Sequence, residues 1–249
     1  MHLRHRIRVL LWLALLAPAG ALAAADPAPS ADLVAGIKAY NEGNIGTALS
    51  RLKAAADRGE AEAMVNLGYI YARGQAGVAD PARALTLYRK AAALGDGEGM
   101  NAVGYRLDHA DPPDLPGAIA WYCRAVLKGN QRAMNNLALL AYAGRGTPRD
   151  RAEARLLWRQ ASERGNLQAR ASLGADLASD ASLNPTERQQ GYDMLRDAAM
   201  NGGAHAQELL RRAGSTERFP PPTVSPMTMQ LEPRNVPPGT SNLCGRVLS

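Results

Sequence analysis

The chain is expected to fold as an all-α, right-handed α-solenoid of five helix-turn-helix repeats closed by a C-terminal capping helix. Three observations predict this. Gly59, Gly95, Gly129 and Gly165 are each followed nine residues later by a small residue, Gly68, Gly104, Ala138 and Gly174. A small residue also stands eleven positions before each repeat-ending glycine: Ala48, Ala84, Ala118, Ala154 and, before Gly202, Gly191. All the length variation falls between these two rigid blocks, at 12 to 17 residues, which is how two helices joined by an elastic turn behave.

The N-terminus comes first. Arg4, Arg6 and Arg8 precede the apolar run Val9 to Leu16, and Ala21-Leu22-Ala23 offers a small-x-small cleavage pattern, so residues 1–25 read as a secretory signal. The run is too short for a span, which needs about 20 apolar residues, and no lipoprotein cysteine follows it. Removal of three arginines takes the formal charge from +6 to about +3. That near balance, without a basic stripe, gives no reason to invoke nucleic acid. The expected compartment is periplasmic or extracellular.

The repeat domain is expected over 31–214, with pairs at 31–59, 60–95, 96–129, 130–165 and 166–202 and a cap at 203–214. In the second pair Met64, Leu67, Gly68 and Tyr71 share one helical face, as do Ala84, Leu87, Tyr88, Ala91 and Ala92 on its partner. Small residues at the crossing allow the two axes to approach. Asp80-Pro81 and Asn184-Pro185 supply an N-cap followed by proline at the first helical position, and the repeat-ending glycines suit a left-handed helix terminus. Continuing the nine-residue interval from Gly202 reaches Arg211, where a small residue would be needed for another pair, so 204–213 should cap the array with Leu209 and Leu210 over its last face. Residues 215–249 hold Pro220-Pro221-Pro222, Pro226, Pro233 and Pro237-Pro238, a composition that predicts a disordered tail, either dispensable or folding back through Cys244. The two cysteines, Cys123 and Cys244, are open to either one bridge or two lone thiols.

These residues resemble the Sel-one-like subfamily of tetratricopeptide repeats. The second pair reads Ala63, Leu67-Gly68, Tyr71, Gly74, Gly77-Val78, Asp80, Ala84, Leu87-Tyr88, Ala91-Ala92 and Gly95, nearly the whole pattern. The fourth keeps Leu137, Gly144, Gly146, Asp150, Ala154, Leu157-Trp158, Ala161 and Gly165, whereas the first lacks the four-residue insertion of the subfamily. The resemblance implies a platform whose first helices line a concave surface. Its groove positions fall on Glu62, Val65, Tyr69 and Arg73 in the second pair, on Glu98, Asn101, Tyr105 and Asp108 in the third, and on Arg132, Asn135, Leu139 and Tyr142 in the fourth. In the fifth they are small and bland. Asn can pair with both backbone N–H and C=O, and Arg73 or Arg132 can take a carboxylate. Tyr69 and Tyr105 are equally placed to pack between repeats.

Chemistry is not in evidence. His109 and His205 stand at no metal-ligand spacing, and no nucleophile elbow, phosphate loop or dinucleotide fingerprint occurs. No catalytic residue, metal or cofactor is expected. The expected function is a non-catalytic adaptor that binds a protein or peptide. The alternatives are an exported inhibitor that occludes a toxic enzyme and, more remotely, a cell-wall-acting enzyme.

Overall fold

The computed structural model describes residues 28–213 and 241–248; the expected signal segment and tail residues 214–240 lie outside the described residues. The described chain is all-helical, without a strand among the described residues. Five hairpin pairs follow one another: α1 (Ala31–Asn41) with α2 (Ile45–Asp57), α3 (Ala61–Ala72) with α4 (Pro81–Ala93), α5 (Gly97–Asp108) with α6 (Leu115–Leu127), α7 (Gln131–Ala143) with α8 (Arg151–Glu163), and α9 (Leu167–Ser179) with α10 (Pro185–Met200). A helix α11 (Ala204–Ala213) packs on the fifth pair, and a short α12 (Asn242–Leu248) packs on α6. The second helix of each pair also packs on the first helix of the next, and α1, α3, α5 and α7 touch side by side. The result is the predicted solenoid, with odd-numbered helices in one layer and even-numbered ones in the other.

The turn chemistry works as its residues dictate. Asp80 accepts from the Arg83 N–H and Asn184 forms a reciprocal capping box with Glu187, each ahead of a proline at the start of its helix. The backbone N–H of Asp80, Asp114 and Asp150 returns to the last turn of the preceding helix, at Tyr71, Leu107 and Ala141, so the inserted spacer closes on itself. Gly95 and Gly129 sit at φ +86° and +76°, where a Cβ would be strained.

The crossing residues are small for two different reasons. In the second and third pairs a Cβ on Gly68 or Gly104 would run into the ring of Tyr88 or Tyr122, so the glycine is the socket for an aromatic from the partner helix. In the fifth pair the glycines meet backbone: a Cβ on Gly174 would lie 2.7 Å from the Gly191 carbonyl oxygen. The fourth and fifth pairs are joined by Arg151 and Arg155 on α8, which clamp the buried Asp176 and Asp180 at the end of α9. The Asp180 carboxyl is held well below the usual range by the Ser182 hydroxyl and the Arg155 guanidinium. On the cap, the exposed Arg211 pairs with Glu208 one turn earlier.

The C-terminus departs from expectation. A disordered tail to residue 249 was the composition-based expectation, yet 242–248 form α12, with Leu243 and Cys244 buried in the main core beside Tyr122, Cys123 and Val126. Cys123 and Cys244 form a disulfide with Cα atoms 5.2 Å apart. The Ser241 hydroxyl and Leu243 N–H both donate to the buried Glu153 carboxylate on α8. Average composition missed this because the prolines end at Pro238, and the last residues carry an apolar Leu243-Cys244 pair that a covalent bond holds in place.

Candidate functional site

The odd-numbered helices form the wall of a groove of about 1040 Å³ that extends from α1 to the start of α9. Lateral hydrogen bonds fix its helices. Asn130 caps α7 by accepting from Ala133 N–H, while its amide donates across to Glu98 on α5, 2.9 Å away. Asn166 repeats the device one pair later, capping α9 and donating to the Gln131 carbonyl. Asn136 on α7 donates to Asn101 on α5 at 3.0 Å. One side chain thus starts each helix and also sets its spacing from the previous one.

Glu98, behind the lining, is the hub that ties the groove wall together. Tyr69 Oη donates to it at 2.6 Å and Arg132 at 2.7 Å, beside the bond from Asn130. Burial pushes the Glu98 carboxyl up, but these three donors outweigh it and hold the group below its ordinary value. Burial first, and the Glu98 charge second, push the Tyr69 phenol well above its usual range. Burial also raises Tyr88, to about 12, against the pull of Arg106 and Arg73.

Removing the charge tests this hub. Glu98→Gln is expected to cost about 1–2 kcal/mol at neutral pH, since bonds to a charged acceptor are stronger than neutral ones. Because the folded-state value is depressed, the contribution is complete above the ordinary carboxylate range and is lost as pH falls below about 4. The gap between the urea unfolding midpoints of the two proteins should therefore be full at pH 7 and narrow as pH falls below about 4. A gap of the same size at pH 7 and pH 3 would show that the charge is not its origin.

Of the sequence-derived groove positions, Tyr69, Arg73, Asn101, Tyr105, Arg132 and Asn135 line the groove. Val65 does not: it is buried against Met64 and Ala91. Tyr142 packs on Trp158, ring centroids 5.3 Å apart, under the Arg149 guanidinium. Glu62 is exposed outside the lining, and Asp108 is buried in an ion pair with Arg145. The lining residues missed include Asn66, Arg106, Gln131 and Asn136, together with Tyr40 and Asn41 of the first pair and Gly165, Asn166 and Leu167 at the start of α9, where the counted fifth-pair position Gln168 also lines the groove. The first four lie one position from a counted residue, because a rotation of about 100° per residue carries a neighbouring position over the rim as the array twists. The polar Asn66 beside the apolar Val65 was the available signal. The Arg132 assignment also changes in kind, since Glu98 occupies its guanidinium, whereas Arg73 and Arg106 have no ion pair among the described residues.

Residues 61–96, 97–130 and 131–166 each match the Sel1 repeat, the same stretch as the second to fourth helix pairs. No curated protein matches the chain. Among solved structures, a Sel1 repeat protein from Oxalobacter formigenes is similar at 24% identity and a TM-score of 0.60, over 76% of this chain and 88% of that one. A Sel1 repeat protein from Klebsiella pneumoniae subsp. pneumoniae is similar at 19% identity and a TM-score of 0.52, over 74% and 91%. These likenesses are of fold. Residues 61–166 are thus three Sel1 repeats, set within the longer solenoid.

Proposed function

We propose that this protein is a non-catalytic scaffold that holds a protein or peptide partner in its concave groove, in the periplasm or outside the cell. Sel1 repeats generally mediate protein–protein interaction. The observation that carries the reading here is the groove, which runs along the first helices of all five pairs and is lined by Asn, Tyr and Arg, side chains able to contact both the backbone and the side chains of a bound chain. Two features support the location: the signal-like residues 1–25, and the Cys123–Cys244 bridge, a bond that persists in oxidising compartments.

Crosslinking tests it. A photoreactive residue placed at Tyr105, half-exposed in the groove, should capture a discrete set of partners in living cells. The same residue at Lys90, exposed on α4 in the opposite layer, should not. Capture from Lys90 with none from Tyr105 would move the site to the other face.

A further inference from the structure

We infer that the groove takes an extended acidic peptide, with its carboxylates at Arg73 and Arg106 and its backbone N–H groups received by Gln131 and Asn135. This inference rests on the concave surface being the binding face.

The first observation is a pair of acceptors without donors. Gln131 Oε1 and Asn135 Oδ1 are buried and accept no hydrogen bond, although Asn135 is only 5% exposed and both residues line the groove. Buried acceptors are almost always satisfied in folded proteins; other buried atoms such as Trp158 Nε1 are also orphaned here, but these two belong to residues of the groove wall, where a ligand can bring the donor. They stand four residues apart on one face of α7, about 6 Å along its axis at 1.5 Å per residue. In an extended chain the N–H groups on one side recur every second residue, about 6.6 Å apart at 3.3 Å per residue. A single extended segment matches both acceptors without distortion.

The second observation is charge. Glu98 is already bonded to Tyr69, Asn130 and Arg132, and no Asp or Glu lines the groove. Arg73 is exposed at the end of α3, Arg106 is half-buried in the last turn of α5, and both act on the same Tyr88 phenol. Elsewhere some arginines meet carboxylates, as Arg145 does Asp108 and Arg155 does Asp176, and others lie over rings, as Arg83 does on Tyr71 and Arg124 on Trp121. The groove end at Arg73 and Arg106 is left to an incoming carboxylate.

Together the two observations select the ligand class. A polyphosphate would satisfy the arginines but presents only acceptors to Gln131 and Asn135. A neutral peptide would satisfy the amides and leave the arginines unanswered. A chain with N–H donors and carboxylates answers both; a single-stranded nucleic acid, whose bases and 2′-OH also donate, is the competitor that the test includes.

The test uses the full exported chain, immobilised, and a random decapeptide library with free and amidated C-termini. The captured pool should be enriched in Asp and Glu several-fold over the input. The double variant R73E/R106E, verified as folded by circular dichroism, should lose that enrichment and favour Lys and Arg. N-methylation of alternate residues in the strongest peptide should weaken binding at least ten-fold in one register and much less in the other. Enrichment confined to free C-termini would place the carboxylate at the chain end and still uphold the inference. Capture without acidic preference that Tyr105→Arg abolishes overturns the inference and leaves the groove as the binding face. Capture unaffected by Tyr105→Arg, or no capture, overturns both. Competition by a single-stranded oligonucleotide that R73E/R106E removes also overturns the inference.

Discussion

Cys244→Ser is expected to lower the unfolding free energy by about 3 kcal/mol and Tm by roughly 10 °C, and to release α12 from α6. Two limits bracket the effect. Cys123 and Cys244 are 121 residues apart, and closing a loop of that size in the unfolded chain is worth about 5 kcal/mol on the chain-entropy account. That is an upper bound, because the variant need not unfold globally to relieve the loss. α12 has seven residues, touches α6, and is otherwise held by the burial of Leu243 and by the bonds from Ser241 and Leu243 to Glu153. Without the bridge it detaches first, and the remaining cost is that of exposing Cys123 and its neighbours in the core. Thermal unfolding of the oxidised protein, the reduced protein and the variant checks this: the last two should coincide. Protease should also cut the C-terminal segment of the reduced protein while the repeats stay intact. Identical midpoints with and without reductant would mean that the bridge adds nothing to stability.

Gly191→Leu should be as damaging, by a different mechanism. A Cβ at this position lies 2.5 Å from the Ala178 nitrogen, 2.6 Å from the Gly174 oxygen and 2.8 Å from the Leu177 Cβ. Two of those three are backbone atoms of α9, which cannot swing aside, so α10 must move away and loosen the packing of Leu195 and Ala198. Overpacking of this severity costs about 3 kcal/mol or more. Gly191→Ala meets the same Cβ contacts without the further atoms of leucine and so loses less. Gln190→Leu, on the exposed side of the same helix, should change stability by under about 0.5 kcal/mol. Since a repeat array is held by nearest-neighbour contacts, hydrogen exchange in Gly191→Leu should accelerate in α9 to α11 and stay slow in α3 to α6. Uniform acceleration along the chain would show that the array unfolds as one unit.

The repeat was legible in the sequence because its signals are local. Gly95 must close a helix, Asp80-Pro81 must open one, and Gly68 or Gly104 must leave room for a ring; each is decided by sterics within a few residues or across a single hairpin. Periodicity alone therefore sufficed for the fold class and for the helix pairs. The groove positions came instead from the resemblance to the Sel-one-like repeats, and of these Tyr69, Arg73, Asn101, Tyr105, Arg132 and Asn135 line the cavity. What only the tertiary structure decided are relations between distant residues. Whether Val65 or Asn66 faces the groove depends on the twist between successive pairs, which no single helix encodes. Which arginine is free depends on Glu98 of one repeat reaching Arg132 of the next, and the fate of the tail depends on Cys244 meeting a thiol 121 residues earlier. Local sterics are written into neighbouring residues, whereas charge pairing and covalent closure depend on where the assembled solenoid brings distant side chains together.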